Sequence, residues 1–233
     1  MNRNRVIAIS FIVLVLALIA TRMTIASENP LDVWAKAVGG REKVAGVTAI
    51  YREATIEVAG YAGTIKAWHT SDGRYRKEEQ VADYGNIEVF DGVEATVQQA
   101  GAAPQKLAGA DLQRARSTAF ANSNAMFFAF FPERQHGAVI IDANGIVLRP
   151  EGGIDWRVLL DPQTSLPVTM THQEGSGTVV VTFVSYETVD GVKFEKEIHR
   201  SNGDPRFDSI IRFTKTVINP EINSSVFSIN RAN

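Results

Sequence analysis

The sequence predicts a mainly β protein of the α+β class, with helices covering the apolar face of an antiparallel sheet. The clearest observation is the segment from Thr178 to Ile218, where apolar and polar residues alternate over three stretches separated by two turns. This period of two is typical of strands with one buried and one solvated face. The second observation is a phenylalanine-rich helical segment at residues 126–131, which interrupts the strands. A one-sided sheet needs a cover, so the functional question is whether protein or ligand covers its apolar face.

Residues 1–26 have the layout of a secretory signal peptide. Arg3 and Arg5 precede an apolar run of 15 residues. A membrane span needs roughly 18–20 residues, so the run is too short for one. Small residues allow cleavage after Ala26 or Ser27, and an uncleaved membrane anchor is the alternative. We therefore expect a secreted protein in which residues 27–233 form a single domain.

Charge and cysteine content exclude some classes of function. The chain carries 24 basic and 26 acidic side chains, and loss of residues 1–26 removes three arginines and no acid. The remaining formal charge is about −5, and the sequence has no basic patch, so we predict no nucleic-acid partner. The sequence has no cysteine, so no disulfide can form and stability must come from core packing.

The first half of the chain predicts a helix followed by a meander of strands. Asn29 is a predicted N-cap with Pro30 at the first helical position, and an apolar stripe runs to Gly39 and Gly40. Residues 41–45 are expected to add another turn. Strands joined by tight turns follow. We predict them at residues 47–58, 64–70, 74–83, 87–89 and 95–97, before a loop at 99–104.

Arg52 interrupts the pattern of the first predicted strand, because it falls on the same face as the apolar Ile50, Ala54 and Ile56. A charged side chain on a dry face costs free energy unless it is paired. One interpretation is an inward-pointing edge charge or a buried ion pair. The other is a polar contact inside a ligand cavity, which makes Arg52 a candidate ligand-binding residue.

The middle of the chain changes to helical spacing. Asp111 is a predicted N-cap, and apolar residues recur at helical spacing up to Phe120. After an interruption at residues 122–124, the segment 126–131 holds four of the chain's 12 phenylalanines and ends at Pro132. A helix cannot hide all of these rings on one narrow stripe. The segment is therefore either buried in the core on all sides or placed over an apolar hollow.

Strands resume after Gly137. They are predicted at residues 138–142, 146–149, 154–160 and 166–173, ahead of the three strands between residues 178 and 218. Alternation places four residues of this region on the inner face, namely Trp156, Val158, Val168 and Met170. Near the end of the chain, Val226, Phe227 and Ile229 are expected to pack against the core as a terminal plug.

Enzyme signatures are mostly absent from the sequence. Gly175-Ser176-Gly177 lacks the spacing of a nucleophile elbow and is predicted to be a hairpin turn. The four histidines do not have the spacing of metal ligands, and no glycine-rich phosphate loop occurs. We therefore predict no catalytic residue, no metal and no cofactor. His69 and His172 fall on apolar faces and are interpreted as core histidines; an enzyme would need both of them and an acid in one pocket.

Five short motifs occur in a fixed order along the chain: 39–44 (GGREKV), 90–92 (FDG), 160–167 (LDPQTSLP), 186–192 (YETVDGV) and 219–223 (NPEIN) ahead of Val226-Phe227. In order and spacing they resemble the LolA-like superfamily, the outer-membrane lipoprotein carriers and their LppX-type and RseB-type relatives. There are two departures. Asp91-Gly92 continues into Val93 where relatives commonly have tryptophan, and no proline follows the second Asp-Gly. These departures favour a generic lipid-binding relative over a dedicated lipoprotein carrier.

The resemblance implies a strongly curved, open antiparallel half-barrel of about 11 strands, with helices covering its concave face as a lid. It also implies a bacterial periplasmic carrier, expected to be a monomer and not an enzyme, that shelters a lipid or a lipoprotein acyl chain in an apolar cavity. The predicted lid and cavity residues are Met126, Phe127, Phe130, Phe131, Trp156 and Arg52. The alternative is an envelope sensory or protein-interaction module that binds another envelope protein through the same concave face.

Overall fold

The computed structural model describes residues 28–121, 125–134, 136–175 and 177–229. The predicted signal peptide and the interruption at residues 122–124 therefore lie outside the described residues. The helices are α1 (Pro30–Ala37), α2 (Arg41–Ala45), α3 (Gly109–Ala121) and α4 (Ala125–Phe130). Short 3-10 helices span Pro132–Arg134, Pro205–Phe207 and Ser224–Phe227.

Thirteen strands form one sheet. The first six are β1 (Ala49–Val58), β2 (Tyr61–Thr70), β3 (Tyr75–Val81), β4 (Tyr84–Phe90), β5 (Ala95–Gln99) and β6 (Gln105–Lys106). The other seven are β7 (Gly137–Asp142), β8 (Gly145–Pro150), β9 (Trp156–Leu160), β10 (Pro167–Glu174), β11 (Gly177–Val189), β12 (Val192–Ser201) and β13 (Ser209–Ile218). The strand order is β6-β5-β4-β3-β2-β1-β13-β12-β11-β10-β9-β8-β7, so the sheet is open.

The connectivity explains where the helices lie. The first and last strands pair in the middle of the sheet, so β1–β6 form an N-terminal arm and β7–β13 form a C-terminal arm. The chain between β6 and β7 must join the two opposite edges, and it contains α3 and α4. Accordingly, α3 contacts β4 and β5 in one arm and β8 in the other. The predicted half-barrel with helices over its concave face is confirmed.

The strand count is a correction, since about 11 strands were expected and the sheet has 13. The two-residue strand β6 contributes to the difference, because it is too short to show any alternation. The predicted N-cap Asp111 is wrong, since α3 begins two residues earlier at Gly109 and Asp111 lies in its first turn. Val168 is 38% exposed instead of inward, because the pairing of β9 and β10 is irregular between Pro167 and Thr169.

The largest buried cluster, which we call the helix-covered core, lies between the helices and the C-terminal arm. Its members come mainly from the four helices and the inner faces of β1 and β8–β12, and include Trp34, Phe128, Leu148, Val158, Met170 and Phe194. A smaller cluster at the centre of the sheet contains Ala54, Ile56 and Phe213. A third lies beneath α3 and contains Tyr75 and Phe90. Helices therefore cover both arms, and the larger apolar area is in the C-terminal arm.

Close backbone contact fixes α1 against the C-terminal arm. The carbonyl of Val38 accepts a hydrogen bond of 2.9 Å from the backbone N–H of Lys193, at the start of β12. Gly39 has a φ of +119°, and a Cβ at this position would lie 2.2 Å from the carbonyl oxygen of Gly191. Only glycine fits this approach. Within the described residues, no helix has the length and apolar character needed to cross a bilayer.

Candidate ligand-binding site

Helix α4 is buried on every side. Its six residues are all buried, with Phe127 at 2% exposure and Phe128 at 0%. Met126 and Phe130 also belong to the helix-covered core, and Phe131 packs against it while half-buried. The sequence left two interpretations of this segment open, and the structure shows the packed one. The phenylalanine rings fill the concave face of the C-terminal arm.

Arg41 holds the end of α4 against the N-terminal helices. Its Nη1 donates to the carbonyl of Phe130 at 3.1 Å, and its Nη2 donates to Asp32 at 3.1 Å. The guanidinium also lies 5.2 Å from the centre of the Phe130 ring. Trp34 meets the same ring edge-on, with centroids 5.1 Å apart. A free carbonyl at a helix end is thereby satisfied, and α4 is joined to α1 and α2.

Phe128 reaches the sheet because β7 begins with a glycine. A Cβ at Gly137 would lie 2.4 Å from the Phe128 ring and 2.8 Å from the carbonyl oxygen of Arg149. On its other side the Phe128 ring contacts Phe120 of α3, with centroids 4.8 Å apart. Phe128 and Phe120 were not among the predicted site residues. The sign that identifies them is Gly137, whose missing side chain leaves room for an aromatic ring.

The two surface cavities that we describe lie away from α4. One, of about 550 Å³, is lined by Pro30, the turn at residues 143–145 and parts of β8 and β9. The other, of about 470 Å³, is lined mostly by polar residues of β2–β5. Neither includes a residue of α4. These two cavities therefore offer no ligand space beneath α4.

Arg52 is fully buried and paired. Its Nη1 donates to Oε1 of Glu195 at 2.6 Å, its Nη2 donates to the carbonyl of the same residue, and its Nε donates to Thr216 at 3.2 Å. The guanidinium lies 3.3 Å from the centre of the Phe213 ring. Burial lowers the pKa of Arg52, and the Glu195 carboxylate opposes this shift. Of the two interpretations of Arg52, the structure shows the buried ion pair.

Arg52 also lies where the pairing between β12 and β13 ends. The register of these strands runs only from Glu197 with Arg212 to Arg200 with Ser209. Beyond that point the carbonyl of Glu195 takes its hydrogen bond from Arg52. Glu195 follows the buried Phe194 in β12, yet it is itself only 8% exposed because an arginine from another strand holds it inside.

Trp156 stacks on His172 at the edge of the helix-covered core. The two centroids are 3.8 Å apart and both residues are 6% exposed. Nε2 of His172 lies 3.6 Å from the carboxylate of Glu174. That carboxylate also contacts Arg200 at 3.1 Å and Arg114 at 3.6 Å. Burial lowers the pKa of His172, and Glu174 opposes this shift, so the ring is neutral at pH 7.

The two histidines that an enzyme would need in one pocket lie in different arms of the sheet. His69 lies on β2 and stacks on Tyr75, whereas His172 lies on β10 in the other arm, with four strands between β10 and β2. Burial lowers the pKa of His69 to about 3, and Arg52 and Lys77 add to the shift. In the part of the chain that the structure describes, no group of His, Asp and Glu is arranged to hold a metal ion.

Comparison with known proteins gives a fold and no closer relationship. No protein-family model and no curated protein matches the sequence. A LolA superfamily protein from Nitrosomonas europaea is similar with a TM-score of 0.54 at 9% identity, over 85% of this chain and 96% of that one. The chain has the LolA-like fold. At this low identity the similarity shows the fold alone.

Two further solved structures are similar to this chain in fold. A DUF1329 family protein from Desulfovibrio piger is similar with a TM-score of 0.51 at 12% identity, over 85% of this chain and 95% of that one. An outer membrane lipoprotein-sorting protein domain from Vibrio parahaemolyticus has a TM-score of 0.50 at 10% identity, over 85% and 97% of the two chains. In each case the similarity covers nearly the whole of the other structure, so the LolA-like fold accounts for most of this chain.

Proposed function

We propose that the protein is a bacterial periplasmic carrier, not an enzyme, that shelters a lipid or lipoprotein acyl chain between α4 and the concave face of the C-terminal arm. The observation that carries the proposal is α4 itself, a six-residue helix whose side chains are all buried on the apolar face of a LolA-like sheet. The lipoprotein-sorting domain that shares this fold supports the same role. The signal-peptide layout of residues 1–26 supports export to the periplasm.

The physical basis is an exchange of apolar contacts. Each methylene moved out of water contributes roughly 0.8 kcal/mol, so an acyl chain can replace phenylalanine rings without any catalytic group. The one polar contact described for α4 outside its own segment is the bond from Arg41 to Phe130. Displacement of α4 therefore costs mostly apolar contacts, which the ligand restores. Binding then selects a form in which α4 has moved outward.

In this proposal the predicted site residues have distinct positions. Met126, Phe127, Phe130 and Phe131 form the lid and contact the acyl chain once α4 has moved. Trp156 lies on the wall beneath the lid. Arg52 and its partner Glu195 mark the inner end of the apolar space, because a buried ion pair is a poor neighbour for a hydrocarbon chain.

Native mass spectrometry tests the proposal on protein purified from a bacterial envelope without detergent, followed by solvent extraction and lipid identification. We expect a bound adduct in the mass range of a phospholipid or an acylated peptide. Phe131→Asp should lose the adduct, because a charge on the lid opposes contact with an acyl chain. The matched control is Phe207→Asp, which changes a phenylalanine that is 53% exposed and distant in sequence from the lid.

A ligand-free mass for the unmodified protein would contradict the carrier. If Phe131→Asp instead abolished a contact with an envelope protein while lipid content stayed the same, the protein-interaction module would replace the carrier. Matching unfolding midpoints for the two aspartate variants exclude loss of the fold as the cause of a missing adduct.

A further inference from the structure

Two buried polar atoms without a hydrogen-bond partner lie on one pair of stacked rings. In the part of the chain that the structure describes, three buried side-chain atoms lack a partner, and two of them are Nε1 of Trp156 and Nδ1 of His172. Their rings are 3.8 Å apart and inclined by 29°. A buried polar atom with no partner is costly. The pairing of two such atoms at one place points to a ligand group that contacts both.

The hydrogen-bonding character of each atom follows from its chemistry. The indole Nε1 of Trp156 can only donate. The Nε2 of His172 faces the carboxylate of Glu174, which can only accept, so the proton of the neutral ring lies on Nε2. Nδ1 is then an acceptor. A group that satisfies both atoms must accept one hydrogen bond and donate another, as a hydroxyl group does.

The position of the pair suits the polar end of an acyl lipid. Trp156 belongs to the same helix-covered core as Phe127 and Phe128. His172 lies beside it, and Glu174 beyond it is 36% exposed. The buried apolar core thus reaches the solvent through Trp156, His172 and Glu174 in turn. An acyl chain bound beneath α4 would have its polar head near Glu174, where this path reaches the solvent.

The positive and negative side chains around Glu174 are equal in number. Glu174 contacts Arg114 and Arg200, and Arg114 also contacts Asp111 at 3.0 Å, so two guanidinium groups face two carboxylates. These four groups together leave no excess charge to attract a charged head. This balance of charge around Glu174 therefore favours a neutral head group that carries hydroxyl groups.

We propose that Trp156 and His172 form a head-group subsite that binds the hydroxyl of a neutral acyl lipid, such as a monoacylglycerol. The subsite rests on the proposed carrier function, because it presupposes an acyl chain beneath α4. It goes beyond that function by naming the chemistry of the ligand head. Ser117 supports the subsite by tying α3 to the chain next to Trp156, since its Oγ accepts a hydrogen bond from the backbone N–H of Ile154.

Three probes with the same oleoyl or oleyl chain test the subsite: monooleoylglycerol, methyl oleate without a free hydroxyl, and oleyl phosphate. The binding of each is measured on the protein labelled with 15N in its three tryptophan indoles. We expect monooleoylglycerol to bind about 10-fold more tightly than methyl oleate, which corresponds to about one buried hydrogen bond. We also expect it to shift the Trp156 indole signal, which is assigned by its loss in Trp156→Phe.

His172→Phe should abolish the preference for monooleoylglycerol while it keeps the binding of methyl oleate. The matched control is His199→Phe, since His199 also lies two residues from a glutamate that it contacts, Glu197, but does so on the exposed part of β12. If His172→Phe fails to fold, the shift of the Trp156 indole in the unmodified protein still decides the question.

The outcomes separate the two proposals. Equal affinity for monooleoylglycerol and methyl oleate with an unmoved Trp156 signal would overturn the head-group subsite and leave the carrier standing. Tighter binding of oleyl phosphate than of monooleoylglycerol would overturn the neutral head. Failure of all three probes to bind would contradict the carrier and the subsite together.

Discussion

The two arms of the sheet present different chemistry along equivalent rows of paired residues. In the C-terminal arm one row across four strands is entirely apolar and buried: Ile146, Val158, Met170 and Val181. In the N-terminal arm a row across four strands is mostly charged: Arg52, Ala67, Lys77 and Glu88. Both rows lie on the concave face, since they share it with buried core residues. An acyl chain would have to desolvate charges in the N-terminal arm, so the C-terminal arm is its favourable location.

The charged row also explains why the N-terminal arm stays folded with polar residues inside. Lys77 pairs with Glu79 at 3.2 Å, and the hydroxyl of Tyr75 donates to Glu88. Burial and the neighbouring Glu88 raise the pKa of Tyr75, so its hydroxyl stays protonated and remains a donor. Lys77 and Glu88 of this row therefore have partners within the arm, whereas, among the described residues, Oδ1 of Asn86 on β4 is buried without one.

The largest expected effect comes from breaking the boundary between the arms. Arg52→Ala should lower the free energy of unfolding by about 3–5 kcal/mol, because Glu195 stays buried without its partner. Denaturant unfolding measures this loss in the free energy of unfolding. Arg206→Ala is the control, since Arg206 pairs with Asp204 while 81% exposed and its loss should cost less than about 1 kcal/mol. Equal losses in the two variants would show that Arg52 is not a buried structural charge.

The next effect compares one buried phenylalanine in each arm. Phe128→Ala and Phe90→Ala should each cost about 3–4 kcal/mol, since both residues are almost fully buried. Monooleoylglycerol should recover more stability in Phe128→Ala, because the acyl chain fills the space left beneath α4. Thermal unfolding with and without the lipid measures the difference. The same gain in both variants would place the ligand elsewhere than beneath α4.

A smaller effect depends on pH and on the buried histidine of the N-terminal arm. Burial holds the pKa of His69 at about 3, so between pH 6.5 and 3 the unfolded chain takes up a proton that the folded chain does not. Stability must therefore fall as the pH falls through this range, by up to about 1.4 kcal/mol per pH unit.

His69→Gln should flatten this pH dependence in denaturant unfolding at pH 7, 6 and 5. His172→Gln should flatten it less, because Glu174 opposes the effect of burial on the pKa of His172. An unchanged slope in His69→Gln would mean that His69 takes up its proton in the folded protein as well.

The smallest effect is expected at the surface of both arms. Lys106 pairs with Glu94 in the N-terminal arm and Arg149 pairs with Asp155 in the C-terminal arm, and all four side chains are at least 44% exposed. Substitution of either basic residue by alanine should change the free energy of unfolding by about 0–1 kcal/mol. A larger loss in one arm, measured by denaturant unfolding, would show that the arms differ outside as well as inside.

Local patterns predicted the strands, and contacts between distant residues account for what they missed. The alternation from Thr178 to Ile218 predicted three strands, and β11–β13 confirm them. The burial of Glu195 depends on Arg52, 143 residues earlier in the chain, which no local pattern contains. Phe207 lies within the segment that alternates, but the structure places it in a 3-10 helix that begins at Pro205, and it is exposed. Proline fixes that turn more strongly than the period of two predicts.

In the candidate site, too, local composition indicates some features, and contacts between distant residues account for the others. Composition left residues 126–131 either buried in the core or placed over an apolar hollow, and the structure shows α4 buried. The pairing of β1 with β13 places the two arms side by side, and it is a long-range contact that the sequence pattern cannot indicate. The stacking of Trp156 on His172 follows from the register of β9 and β10, which a single strand does not reveal.

The most direct test of the central claim is photo-crosslinking with a monooleoylglycerol analogue that carries a diazirine at the end of its acyl chain. Peptide mass spectrometry then identifies the labelled residues. We predict labels on α4 and on the inner row of the C-terminal arm, such as Phe127, Met170 and Val181, and none on β2–β5. Labels confined to β2–β5, or to the surface cavity at residues 143–145, would contradict a ligand site beneath α4.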